Sequence, residues 1–347
     1  MDKSYDKLKK LSQEGGVVEY QAEIPTEIIN KNMEAALDEA AEDFEISGFR
    51  KGKAPKSIVR QNISEFKLLD SAADAALYDA IKEIIDDEKL EILGSPEIYI
   101  TKIAVGNPLE FKIKLALNPQ ITLPDYKKIG KEVSLKTGKT EVSEKEIDEA
   151  IEQIRQVFAA QDGNGKESKQ LPEVNDDFVK RVSQLSTVAE LRAEVKKRIF
   201  QENELYAKEK NRDEIISEII RNTKIEIPEL LVDQDLHNLS HEREDELRKV
   251  GITMKEYLEQ MKKTAEDLEK EDRRIIENRL KSTLVLQAVR KKENISAEPK
   301  EVDEEISVLR QYYPEHNEKA LYRSAEAIIV QRKLFAVLEN KTAAENK

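Results

Sequence analysis

Leu109-Glu110-Phe111-Lys112-Ile113-Lys114-Leu115-Ala116-Leu117 carries the clearest secondary-structure signal in the chain. Apolar side chains recur at every second position, and this period predicts a strand with one buried face. Residues 98–103 predict a strand just before it, and residues 18–24 alternate in the same way. The first third of the chain therefore contains strands at both of its ends.

Three helices are predicted between those strands. Pro25-Thr26-Glu27 opens the first helix, with Thr26 as its N-cap. Residues 57–65 predict a second helix, and residues 69–85 a third with a continuous apolar face. The predicted order is β-α-α-α-β-β, an α+β domain that occupies residues 1–118. Pro119 and Pro124 mark its end.

A basic loop is predicted between the first and second helices. Its sequence is Gly48-Phe49-Arg50-Lys51-Gly52-Lys53-Ala54-Pro55. No Asp or Glu occurs from Ile46 to Ser64, whereas the average acid content of the chain would place about four there. The two glycines permit a tight turn, and Pro55 stiffens its exit. Phe49 beside Arg50 predicts docking on a polyanionic partner, and the alternative is a solvated turn with incidental lysines.

Composition restricts the function classes. The net charge of the 347 residues is −13, which argues against a general nucleic-acid coat, so contact with RNA must be local. Charged residues make up 37% and aromatic residues 5%, a balance typical of long solvated helices. Cysteine is absent, which excludes disulfides and thiolate metal sites. With no apolar signal core at the N-terminus and no run of membrane-spanning length, a cytoplasmic protein without a membrane partner is predicted.

The rest of the chain predicts helices. Residues 119–170 are interpreted as a linker strand, a helix that begins at the capping box Ser143-Glu144-Lys145-Glu146, and a short connector at residues 162–168. Residues 171–347 predict an extended all-α domain with long helical arms. One of its helices begins at the capping box of Thr187 and could continue to Asn222.

No catalytic constellation can be nominated. His237 and His241 have the spacing of metal ligands on one helix face, but Asn238-Leu239-Ser240 between them does not match a zinc-protease motif. A solvated helix face is the favoured interpretation of this pair. No phosphate-binding loop is present, so no catalytic residue, metal or cofactor is predicted.

The basic loop resembles the ribosome-docking signature of bacterial trigger factor, whose pattern is G-F-R-x-G-K-x-P, and every fixed position matches. Residues 118–126 are similar to the segment that leaves the N-terminal domain of that family. Residues 171–178 are similar to the segment that enters its C-terminal domain, and residues 225–228 also match. The similarities occur in the family's order across nearly the whole chain.

This resemblance implies a ribosome-associated, ATP-independent holdase chaperone that docks near the nascent-chain tunnel exit. Its partners would be a tunnel-exit ribosomal protein, the adjacent ribosomal RNA and unfolded or nascent polypeptides, with a homodimer left open away from the ribosome. The implied ribosome-binding residues are Gly48, Phe49, Arg50, Lys51, Gly52, Lys53 and Pro55.

The chain departs from the family in one respect. Trigger factors usually carry an FKBP-like prolyl-isomerase domain between the linker helix and the helical domain, and the connector here is too short to hold one. A protein that is not an enzyme is therefore expected. The alternatives are a helical adaptor that binds one partner stably and an export chaperone without ribosome tethering.

Overall fold

The computed structural model describes residues 3–136, 141–162 and 171–340. Contacts divide the chain into two compact units. The first comprises Met1–Ile121 and Ile225–Lys281, and the second comprises Thr122–Lys224 and Ser282–Lys347. Beyond its first residue, the connector predicted at residues 162–168 lies outside the described residues.

An antiparallel sheet of four strands forms the base of the first unit, in the order β1-β2-β4-β3. The strands are β1 (Asp6–Glu14), β2 (Val17–Ile24), β3 (Ile92–Lys102) and β4 (Leu109–Leu117). The register pairs Val18 with Leu115 and Tyr20 with Ile113. The alternating apolar side chains of β2 and β4 therefore share one face of the sheet, and this face is buried.

Three helices lie between β2 and β3 in the chain and contribute to one core with the sheet. They are α1 (Thr26–Asp43), α2 (Lys56–Asn62) and α3 (Glu65–Asp87). Helix α1 packs on α3, where Ala72, Ala76 and Ala80 are fully buried. Small side chains at these positions permit close helix packing. The predicted α+β architecture is confirmed, with one further strand at its start.

Strand β1 is that addition. It lies at a sheet edge and, among the described strands, pairs with β2 alone. Most of its side chains are exposed on both faces, so its sequence has no alternation to detect. The sequence does contain a hairpin signal just after β1. Gly15-Gly16 joins β1 to β2, and its φ angles are positive, at 56° and 75°. A two-residue hairpin turn of this kind needs such angles at both positions.

Helix α4 (Tyr126–Lys136) replaces the predicted linker strand. The apolar alternation of this segment predicts extended structure, and that prediction is wrong. Tyr126, Gly130 and Val133 are buried at the spacing of one helix face, and α4 packs against two longer helices of the same unit. Burial of this face, which depends on distant parts of the chain, favours the helix.

Every element described from Tyr126 onward is a helix, and the all-α character predicted for residues 171–347 is confirmed over their described part. After α4 come α5 (Glu144–Asp162), α6 (Asp176–Val182), α7 (Val188–Arg221), α8 (Glu229–Val250), α9 (Met254–Met261), α10 (Ala265–Lys292), α11 (Pro299–Tyr312) and α12 (Glu318–Leu338). Helix α7 begins at the predicted capping box of Thr187 and ends beside Asn222. In the described ranges no helix combines the length and the hydropathy needed to cross a bilayer.

One hydrophobic cluster of the second unit joins α5, α6 and α7. Ile147 and Ile151 of α5 pack with Phe178 of α6 and with Leu191 and Val195 of α7. The sequence-derived boundary at residue 171 falls between members of this cluster. A fragment that begins there would lose α5 and expose the apolar side chains that α5 covers.

Candidate functional site

The basic loop connects the end of α1 to the start of α2. Backbone hydrogen bonds shape it: the Phe49 N–H donates to the Ile46 carbonyl oxygen at 3.2 Å, and the Lys53 N–H donates to the Arg50 carbonyl oxygen at 2.9 Å. These bonds close two successive turns. The residues that form the predicted motif are therefore held together as one compact protrusion.

Gly52 fixes the loop against α1. Its N–H donates to the Phe44 carbonyl oxygen at 3.0 Å, and its φ angle is +70°. A Cβ atom at this position would overlap the backbone carbonyl oxygen of Glu42. Gly48 also has a positive φ of 96°, but a Cβ atom there would meet open space. Only Gly52 is required for both conformation and close approach.

Pro55 anchors the other end of the loop. It occupies the N-cap position of α2, and its carbonyl oxygen accepts from the Val59 N–H at 3.1 Å. Val59 is fully buried in the core of the first unit. The loop is thus attached to rigid structure at both ends, by Gly52 to α1 and by Val59 to the core.

Phe49 lies at the surface of the loop with 43% of its area exposed. Arg50 and Lys53 are also exposed. Within the described ranges no carboxylate lies within ion-pair distance of either cation. The loop therefore presents an aromatic ring and two uncompensated positive charges to solvent.

Three other cations of the region pair with carboxylates on α1. Lys51 pairs with Asp43 at 2.9 Å, Arg60 with Glu34 at 2.9 Å, and Lys56 with Asp38. These counter-charges are not apparent from the acid-free loop sequence, because the carboxylates lie outside it on α1. The sequence does indicate nearby negative charge, because Glu34 and Asp38 are one turn apart on the helix that immediately precedes the loop.

The histidine pair lies on the exposed surface of α8. The rings of His237 and His241 are 4.4 Å apart between centroids, and both side chains are exposed on α8. Among the residues that the structure describes, no group of three or more His, Cys, Asp or Glu side chains is placed to hold a metal ion. The favoured interpretation of a solvated helix face agrees with this exposure.

Two family models match the chain, one in its N-terminal part and one in its C-terminal part. The family model for bacterial trigger factor protein matches residues 7–154, and the model for the trigger factor C-terminus matches residues 187–342. Trigger factor of Carboxydothermus hydrogenoformans is 25% identical over 429 residues, which cover 97% of this chain and all of the relative. Trigger factor of Caldicellulosiruptor saccharolyticus is 24% identical over 426 residues, with 96% of each protein covered. Both alignments exceed the 347 residues of this chain, so these relatives contain segments that it lacks.

A solved structure supports the fold. It comes from a study of promiscuous substrate recognition in the folding and assembly activities of the trigger factor chaperone. It matches with a TM-score of 0.50 and 17% identity, covering 96% of this chain and 99% of that one. With the two family models spanning most of its length, the chain belongs to the bacterial trigger factor family of ribosome-associated chaperones.

Proposed function

We propose that the protein is a cytoplasmic, ribosome-associated chaperone that shields apolar segments of newly made proteins without ATP. The basic loop docks it near the nascent-chain tunnel exit. Its proposed partners are a ribosomal protein with adjacent ribosomal RNA, and unfolded or nascent polypeptides. A homodimer away from the ribosome is a further proposal.

The exposed loop supports the docking role. Phe49 can enter an apolar pocket of the partner, and buried aromatic anchors commonly supply much of the energy of an interface. The guanidinium of Arg50 can form paired hydrogen bonds with a carboxylate or phosphate. Gly52 and Pro55 keep both groups in place before binding, which lowers the entropy that docking costs. The uncompensated charge of Arg50 beside exposed Phe49 is the observation that carries this proposal.

In this proposal, each of the three segments predicted from the sequence has its own function. Residues 1–118 bind the ribosome, residues 119–170 link the two parts, and residues 171–347 bind substrate. Client binding is weak in this proposal, because one surface must accommodate many sequences. The high local concentration of the protein at the tunnel exit compensates for this low affinity.

Exposed apolar side chains in the second unit support client binding. Leu205 and Tyr206 on α7 are largely exposed. A separate cleft of about 570 Å³ lies between α5, α6 and α7. Ile199 lines it from the proposed substrate-binding residues, and Val157 and Phe158 of the linker contribute to its wall. Apolar contact contributes roughly 25 cal/mol per Å², so a few hundred Å² provide useful but reversible binding.

Holdase action is tested on the intact chain, because a cut at residue 171 would divide a hydrophobic cluster. We expect the protein to suppress aggregation of a chemically unfolded protein on dilution, without ATP. Suppression should persist at salt concentrations that release the protein from ribosomes, since apolar contacts are not screened. Light scattering measures the effect. Protection that disappears with salt would contradict the model and favour a charge-based adaptor.

We expect no acceleration of cis–trans isomerisation in a short X-Pro peptide. The uncatalysed barrier is about 18–20 kcal/mol, and lowering it requires a shaped site that binds the twisted transition state. Helix α5 ends at Asp162 and α6 begins at Asp176, which leaves no room for an additional domain of about 100 residues. A protease-coupled peptide assay measures the rate, with an FKBP-type isomerase as positive control. Activity that co-purifies with the protein through successive columns would overturn the expectation.

A further inference from the structure

The cations around the loop divide into two groups. Lys51, Lys56 and Arg60 each lie against a carboxylate of α1, whereas Arg50 and Lys53 have no carboxylate partner among the described residues. Lys51 is the one paired cation that belongs to the docking motif itself. Its partner, Asp43, is the last residue of α1.

The Lys51–Asp43 pair is not needed to shape the loop. The backbone bond from Gly52 to Phe44 and the close approach of Gly52 to Glu42 already fix the turn. Both side chains of the pair are largely exposed, with 56% and 86% of their areas accessible. Exposed ion pairs of this kind contribute little stability and exchange readily with water and other ions. The pair therefore neutralises the Lys51 charge without supporting the fold.

We propose that Asp43 is an internal counter-charge that competes with the ribosome for Lys51, an inference that rests on the proposed docking function. A ribosomal phosphate or carboxylate gains the Lys51 contact only by displacing Asp43. The loop consequently docks mainly through Phe49, Arg50 and Lys53. Asp43 keeps docking weaker than the motif alone would allow, which favours release and rebinding.

The test is Asp43→Asn, measured by ribosome co-sedimentation over a range of salt concentrations. We expect about three-fold tighter binding at low salt, the range typical of one exposed ion pair. The slope of log affinity against log salt should become steeper by about one if the freed Lys51 contacts a phosphate. Unchanged affinity in Asp43→Asn would overturn the inference.

Two controls isolate the ion pair from the general electrostatic field. Glu45→Gln removes the same charge two residues away, from a side chain that forms no ion pair within the described residues, and should have a smaller effect. Asp43→Asn in a Lys51→Ala background should have no larger effect than Glu45→Gln. An equal gain from Glu45→Gln and Asp43→Asn, or an undiminished gain from Asp43→Asn without Lys51, would attribute the effect to net charge and sink the proposal.

The outcomes also distinguish this inference from the docking proposal. If wild-type protein binds ribosomes in an Arg50-dependent manner while Asp43→Asn matches it, only the counter-charge inference fails. If wild-type protein does not co-sediment, or binds equally well after Arg50→Ala, the docking role of the loop fails and the inference fails with it.

Discussion

Replacing Phe49, Arg50 and Lys51 together with alanine is expected to abolish ribosome co-sedimentation. Removal of an aromatic anchor and a charge-assisted contact typically costs 2–4 kcal/mol or more, so affinity should fall by about two orders of magnitude. Stability should change by no more than about 0.5 kcal/mol, because all three side chains are exposed and the loop is held by its backbone. Sucrose-cushion sedimentation and thermal unfolding measure the two quantities.

A matched control variant changes another surface of the same unit. Tyr78, Lys67 and Lys82 are exposed on α3, and replacing them with alanine removes one aromatic ring and two positive charges. This variant should sediment with ribosomes as wild type does. If both triple variants bind equally well, or lose binding equally, the loop has no special role in docking. The loop variant should still suppress aggregation, since the proposed client surface lies in the second unit.

Among the proposed variants, Gly130→Ala is expected to lower the free energy of unfolding most. Gly130 lies on the buried face of α4, where a Cβ atom would overlap the Leu338 carbonyl oxygen near the end of α12. Ordinary contact requires about 3.5 Å, so the two helices would have to separate. Alanine gains up to about 1 kcal/mol in helix propensity, but overpacking against backbone costs about 3 kcal/mol or more. Urea denaturation followed by circular dichroism should show a lower midpoint.

Neighbouring contacts explain why α12 cannot simply move away. The Asn340 side chain donates to the Lys127 carbonyl oxygen at 2.6 Å. Arg212 on α7 donates to the buried carboxylate of Glu339 at 2.7 Å. Separation of the helices would strain both bonds, and an unpaired buried charge is costly.

Lys131→Ala is the control for this prediction, because Lys131 is exposed on the same helix. It should change stability by no more than about 0.5 kcal/mol. If Gly130→Ala is as stable as Lys131→Ala, the close approach of α4 to α12 is wrong. Ribosome co-sedimentation of Gly130→Ala should persist at temperatures below its unfolding transition, because the loop proposed to dock on the ribosome belongs to the first unit.

Local patterns in the sequence were sufficient for many elements. The alternation of β2 and β4 predicted a buried sheet face, since the side-chain period of a strand is set by its backbone. The capping boxes at Ser143 and Thr187 located helix starts, because they satisfy nearby backbone N–H groups. The spacing of Gly48, Gly52 and Pro55 predicted a tight loop, because glycine permits positive φ angles and proline has a fixed φ angle.

Tertiary structure alone decided the features that depend on distant residues. Strand β1 is stabilised by backbone pairing with β2 and buries few side chains, so its own sequence has little strand signal. Helix α4 forms where alternation suggested a strand, because one of its faces is buried against α7 and α12. The charge that each loop cation presents to solvent was also undetermined. It depends on which carboxylates of α1 lie within reach. Only the packing of α1 beside the loop and α2 brings Asp43 to Lys51, while Arg50 has no carboxylate partner in the described part of the chain.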